Sequence, residues 1–243
     1  MSAESYISRR TILKEHIYSK RLSNNRHLRI YLPPGYNELL SYPVIYCQDG
    51  EQFFNFGRVA TAANTQTLEH HMEPCIIVGI DVDASMRTSE YSPQGINFER
   101  YCAFVAEELV PHIEHRFAAR RTIDGRIIAG DSLGATVSLH LALDYPQLFQ
   151  RVLSFSGAYW ESSLERIRRE IDLTDLYMYM LIGLQETEVV TERGTFNFLE
   201  KNRAARALLL QRGAHVAYFE EEGTHKWGFW QKYTVAALRY FFP

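Results

Sequence analysis

Cysteine is scarce in this chain: three residues in 243 (Cys47, Cys75 and Cys102), an odd number, far apart, each inside an apolar segment. That pattern excludes a disulfide framework and a clustered thiolate metal site, and it reads as small buried hydrophobes in a reducing compartment. Long apolar runs are missing as well; none approaches the ~20 residues that a membrane-crossing helix needs. The opening Met1-Ser2-Ala3-Glu4-Ser5-Tyr6 lacks the charged-then-apolar order of a secretory signal. A cytoplasmic protein is therefore expected. No basic stretch is long or aromatic-interleaved, and acids and bases mix to a formal net charge of −3. This argues against a nucleic-acid partner. His70 and His71 are adjacent, so they cannot share a helix face and make a poor metal pair. Linkers rich in Gly, Ser or Pro, internal repeats and low-complexity segments are all lacking. One domain over residues 1–243 is the economical expectation.

What the chain does have is a 46% apolar composition, enough for a sizeable core. Thr11 to Ser19 and Arg26 to Leu32 read as two strands joined at Ser23-Asn24-Asn25. Val44 to Cys47 and Pro74 to Ile80 are apolar on successive residues, as in strands covered on both faces. A helix is expected over 59–70, and a polar loop over 81–95. Phe98, Tyr101, Cys102, Val105, Leu109, Ile113 and Phe117 mark one face of a long helix that Pro111 is expected to bend. Further strands are read at Arg126 to Ala129, Arg151 to Phe155, Tyr177 to Ile182 and His215 to Phe219. Further helices are read at Ala135 to Tyr145, Glu161 to Asp172, Thr195 to Arg212 and Trp227 to Tyr240. Alternating strands and helices predict an α/β fold, with a mainly parallel sheet, helices on both faces and an antiparallel N-terminal edge.

The stretch around which this pattern is organised is Gly130-Asp131-Ser132-Leu133-Gly134, lying between a strand and a helix. A tight strand-to-helix turn lifts a serine hydroxyl out of the sheet, and its close backbones demand small residues two before and two after. Gly130 and Gly134 meet that demand. A nucleophilic serine needs a base, and the base needs an acid to orient it. Sites in such sheets form at the carboxyl ends of strands. Of nine histidines, only His225 lies in a loop just past the carboxyl end of the last strand. The acid is sought between serine and histidine in chain order. Glu186 and Glu188 both follow the strand ending at Gly183, with Glu186 preferred and Glu188 in reserve. Two N–H groups are needed for the oxyanion. Leu133 supplies one, and Glu51 is the candidate for the other, with Gln52 nearly as suitable. Asp49, Arg87, Tyr91, Trp160 and Trp227 are candidate substrate-binding residues. Arg87 either binds a substrate carboxylate or hydroxyl, or fixes its loop by pairing with Asp81 or Asp83. The tryptophans either stack on a sugar or aryl group or pack the loops.

From about Arg29 to the C-terminus the chain carries, in order, Tyr31-Leu32-Pro33-Pro34-Gly35-Tyr36, Tyr46-Cys47-Gln48-Asp49-Gly50, Arg87 with Glu90-Tyr91-Ser92-Pro93, Glu108 to Glu114, the serine turn, and Gly223-Thr224-His225-Lys226-Trp227-Gly228-Phe229-Trp230. In these motifs it resembles the esterase D-like ("putative esterase") family of α/β-hydrolases. The resemblance implies an α/β-hydrolase fold and serine-triad hydrolysis of a carboxylic ester or thioester, with no metal or organic cofactor. Matched motif to motif, it puts the nucleophile at Ser132, the base at His225 and the acid at Glu186. Asp49-Gly50 stands where several relatives have His-Gly. The partner expected is a small or polar ester: an acetyl ester, a sugar ester or a siderophore lactone. Acyl transfer by the same residues, and a non-catalytic binding module on the same fold, are the alternatives.

Overall fold

The computed structural model describes residues 10–243; the N-terminal segment read for a signal pattern lies outside them. In chain order the elements are β1 (Thr11–Ser19), β2 (Asn24–Leu32), β3 (Val44–Cys47), α1 (Gly50–Asn55), α2 (Val59–His70), β4 (Ile76–Ile80), α3 (Ala84–Tyr91), α4 (Phe98–Ala103) and α5 (Val110–Arg116). They continue with β5 (Arg126–Asp131), α6 (Leu133–Asp144), β6 (Arg151–Phe155), α7 (Glu161–Arg169), β7 (Tyr177–Gly183), β8 (Val189–Thr191), β9 (Gly194–Phe196), α8 (Phe198–Gln211), β10 (His215–Glu221), α9 (Trp227–Trp230) and α10 (Thr234–Phe241).

Eight strands form one sheet in the order β1-β2-β4-β3-β5-β6-β7-β10. β1 and β2 pair antiparallel, as do β2 and β4; the pairs from β4 across to β10 are parallel. Every residue of β3, β4 and β5 is buried, which is why these strands show apolar runs and not alternation. Val44, Tyr46, Ile128, Val152, Met178 and Met180 face one layer with the helices α3 to α8. Ile45, Cys47, Ile127, Ala129, Leu153 and Leu181 face the other, with α1, α2, α9 and α10. Strand order reverses between β3 and β5, because the chain leaves β3 for β4 on one side and later returns to pair β5 on the other. A crevice at the carboxyl ends of those two strands follows from that topology.

Three sequence expectations need correction, and the region of Pro111 gains a detail. The segment read as a polar loop over 81–95 contains α3, capped by the Asp83 carboxylate accepting from Ser85 N–H at 2.8 Å. Its inward residues are Glu90 and Tyr91, so it lacks an apolar stripe to read. Pro111 is accommodated by a π-helical turn over Phe104–Leu109. Proline has no N–H to return to the carbonyl four back and crowds it, so the turn widens, and Val110 N–H reaches Val105 C=O five back. Residues 189–196 form the β8–β9 hairpin, and α8 starts only at Phe198, where the Asn197 side chain accepts from Glu200 N–H at 3.0 Å. The C-terminal helix is divided into α9 and α10 by a 3-10 turn at Gln231–Tyr233.

Candidate active site

The serine turn sits at the crevice. Ser132 adopts φ 54° and ψ −121°, a left-handed conformation costly for a residue with a Cβ. Its N–H donates to Phe155 C=O at 2.9 Å, and its C=O accepts from Ala158 N–H at 3.0 Å, so the bend is held from β6 and the loop after it. A Cβ at Gly130 would lie 2.1 Å from the Gly134 carbonyl carbon. The strand and helix backbones touch there, and only glycine fits.

Three side chains named from sequence meet here in one line of hydrogen bonds. His225 Nε2 lies 2.9 Å from Ser132 Oγ, and its Nδ1 lies 2.7 Å from Glu186 Oε2. A carboxylate only accepts, so Nδ1 carries the proton, and in the neutral ring Nε2 is left to accept the serine O–H. The imidazole is wedged between Phe198, at 4.5 Å between ring centroids, and Trp230, at 5.0 Å. Glu186 is fully buried. Its Oε1 accepts from Ser156 O–H at 2.6 Å and Gly183 N–H at 3.0 Å, and Ser156 Oγ accepts from the Trp230 indole at 2.8 Å. Glu188 is exposed and makes none of these hydrogen bonds. Ser156 and Trp230 were not identified from sequence as parts of the site. The one available signal was that Ser156 directly follows the carboxyl end of a strand, β6.

Helix α6 starts at Leu133, which lines the crevice, and α1 starts at Gly50. The first N–H groups of a helix have no intrahelical acceptor, so the Leu133 and Glu51 amides are each left without one inside their own helix. The Glu51 side chain itself is turned outward, paired with Arg29 at 3.0 Å. A cleft of about 270 Å³ opens over Ser132, flanked by Arg87, Leu133, Trp160, Arg193 and Phe198. A larger groove of about 470 Å³, lined by Arg10, Leu32 and Tyr36 among others, contains no nucleophile beside a base.

The remaining sequence candidates divide. Trp160 lines the cleft, its ring 4.5 Å from Phe196 and 5.6 Å from Phe198. Trp227 does not line it: its indole N–H donates to Gln52 at 2.9 Å and its ring packs on Phe53, bracing α1. Tyr91 is fully buried, and its hydroxyl accepts from Asp49 N–H at 3.2 Å. Asp49 is buried in a bidentate pair with Arg87, both bonds 2.8 Å. Neither acid weighed from sequence is that partner, since Asp81 pairs with Arg29 and Asp83 caps α3. Among the described residues no group of three or more His, Cys, Asp or Glu side chains could hold a metal ion. No helix among them is long and apolar enough to cross a membrane.

Asp131, beside Ser132, is buried with its Oδ1 unpartnered. Burial, followed by the charge of Asp49, pushes its carboxyl up to about 8 against the pull of Arg87. The folded chain keeps that proton where an unfolded chain has lost it, so stability falls as pH rises from about 4 to about 8. Asp131→Asn removes the titration. Its melting temperature is expected to gain on the wild type between pH 5 and pH 8, by the equivalent of roughly 3 kcal/mol. A difference that stays flat across that range, read by thermal melts, contradicts the assignment.

A doubly covered parallel sheet with its serine turn at the topological switch point is an α/β-hydrolase fold. The family model described as "Putative esterase" matches residues 19–241, and the chain belongs to that family. By class it is a carboxylic ester hydrolase. It is 35% identical over 231 residues to the uncharacterized protein YjcH of Bacillus subtilis (strain 168), covering 94% of this chain and 96% of that one. Among solved structures it superposes on a ferulic acid esterase with a TM-score of 0.83 at 16% identity, covering 96% of this chain and 98% of that one. It also superposes on the enterobactin esterase FES from Shigella flexneri, solved in the presence of enterobactin, with a TM-score of 0.82 at 22% identity. That match covers 95% of this chain and 59% of the other. At such identities the two structures share the fold.

Proposed function

We propose that the protein hydrolyses a small or polar carboxylic ester through an acyl-enzyme on Ser132. The observation that carries this is the unbroken line Ser132 Oγ, His225 Nε2 and Nδ1, and Glu186 Oε2, with links of 2.9 and 2.7 Å. His225 takes the serine proton as Oγ attacks the ester carbonyl. Glu186 holds the ring in the tautomer that permits this and offsets the imidazolium charge that develops. The Leu133 and Glu51 amides receive the oxyanion. The imidazolium returns its proton to the leaving alkoxide, which departs as the alcohol. Water, deprotonated by His225, then releases the acid.

The cleft supports a substrate with a planar or aromatic part lying on Trp160 and Phe198, and polar groups toward Arg193. The structural relatives are named as esterases for ferulic acid and enterobactin; a siderophore lactone or an ester that carries an aryl group is the substrate class proposed for this chain. The decisive experiment treats the purified protein with p-nitrophenyl acetate and with a fluorophosphonate, followed by peptide mass spectrometry. Turnover and a single adduct on Ser132 are expected. Turnover with the adduct on another residue, or no adduct, rejects the mechanism.

A further inference from the structure

Helix α3 carries two side chains on one face, Arg87 and Tyr91, and both grip Asp49. The Arg87 guanidinium holds the Asp49 carboxylate through Nε and Nη2, each at 2.8 Å, while the Tyr91 hydroxyl accepts the Asp49 backbone N–H at 3.2 Å. Asp49 is the left-handed residue (φ 50°, ψ 49°) from which α1 and its free amides start. The same Nη2 lies 3.4 Å from the carbonyl oxygen of Asp131, the residue before the nucleophile. On the other side, Asp49 Oδ2 would sit 3.0 Å from a Cβ at Gly134, so the carboxylate touches the first turn of α6. The helix is itself anchored: Glu90, buried, pairs with the buried Arg26 of β2, and the guanidinium of Arg87 lies 5.3 Å from the Tyr91 ring centre.

We propose that Arg87 is a positioning residue. It ties the backbone carrying one oxyanion donor, at Asp49 to Glu51, to the backbone carrying the other, at Asp131 to Leu133, and neutralises the carboxylate between them. The proposal rests on the acyl-enzyme reading and adds to it a residue that acts on the spacing of the two amides. Two physical effects follow from one contact. A planar fork bonded to both loops fixes their separation, which a flexible ammonium cannot do. An unpaired Asp49 charge beside the site would oppose the negative charge that develops on the substrate oxygen. The other titratable groups near the fork are Asp131, whose carboxyl burial pushes up, and Tyr91, and Glu192 and Arg193 line the same cleft.

p-Nitrophenyl acetate tests this because it offers a guanidinium no charged group to bind. In Arg87→Met, kcat is expected to fall by about 10²-fold, the scale of a lost oxyanion donor, with KM unchanged. Arg87→Lys is expected to recover little of this. Methylguanidinium added to Arg87→Ala is expected to restore about tenfold, because it refills the fork. The Asp49→Asn/Arg87→Met double variant should be no slower than Arg87→Met alone, as befits two halves of one contact. If Arg87→Met proves insoluble, Asp49→Asn alone must lower kcat at constant KM. A rise in KM with kcat preserved, a loss confined to anionic esters, failure of methylguanidinium to rescue, or multiplying losses in the double variant each overturns the proposal. A wild type inert to p-nitrophenyl acetate and unlabelled by fluorophosphonate sinks the acyl-enzyme reading instead. Normal turnover in Arg87→Met sinks only the role of Arg87.

Discussion

Ser132→Ala is expected to lower kcat on p-nitrophenyl acetate by roughly 10⁴-fold or more, with the protein still folded. The magnitude follows from geometry. The serine hydroxyl is the group that His225 Nε2 meets at 2.9 Å, and without it the imidazole has no nucleophile to activate. A residual rate from the oxyanion amides and substrate binding is expected to survive, so the variant retains slow catalysis above background. Ser132→Gly adds a second reading of the same residue. Backbone at φ 54° and ψ −121° strains any residue with a Cβ but not glycine. That strain, of order 1–3 kcal/mol, exceeds the ~0.5–1 kcal/mol of extra chain entropy that glycine brings to the unfolded state. Ser132→Gly should therefore be as inactive as Ser132→Ala and melt at a higher temperature. A Ser132→Gly that melts below Ser132→Ala means that the turn is not strained.

Glu186→Gln is expected to cost about 10³- to 10⁴-fold in kcat. Three donors converge on this buried carboxylate: His225 Nδ1–H and the Ser156 hydroxyl at 2.7 and 2.6 Å, and Gly183 N–H at 3.0 Å. An amide has one accepting end. If its oxygen faces Ser156 and Gly183, its NH₂ confronts His225 and drives the ring to the tautomer whose Nε2 bears hydrogen, which cannot take the serine proton. If its oxygen faces His225, the NH₂ meets two donors, and an unsatisfied buried group costs about 1–3 kcal/mol of stability. Either way one function is lost, so melting temperature and kcat should be measured together. Glu188→Gln, at an exposed position, should change kcat by less than about twofold. The reverse ranking would mean that the carboxylate oriented toward His225 in solution is Glu188.

Sequence reasoning prefers Glu186 to Glu188 but cannot show what holds the two apart. They are two residues apart, equally polar, and both follow the strand end. What separates them is a turn: Glu186 N–H bonds back to Gly183 C=O at 3.1 Å and its carboxylate accepts from Gly183 N–H, while Glu188 is exposed. The same limit hid Ser156 and Trp230, whose hydroxyl–indole contact joins residues 74 apart. It also hid α3. A helix whose inner face is a paired glutamate and a hydrogen-bonded tyrosine has no apolar period to detect, because its burial depends on Arg26 and Asp49 arriving from elsewhere.

The amino-acid sequence alone determined the properties that are local or periodic. β3 to β7 are legible as apolar runs because burial on both faces demands apolar residues in succession. The serine turn is legible because the strand touches the helix backbone at Gly130, where only glycine fits, and chain order with strand-end position singled out His225 among the histidines. Tertiary structure alone decided what depends on which segments meet: the buried shell of Ser156 and Trp230 behind Glu186, and the placing of Arg87 on Asp49 and not in a salt bridge with Asp81 or Asp83. The physical reason is the same in each case. A hydrogen bond between side chains scores of residues apart leaves no period and no spacing in the chain; it exists only once the sheet has brought the two loops together.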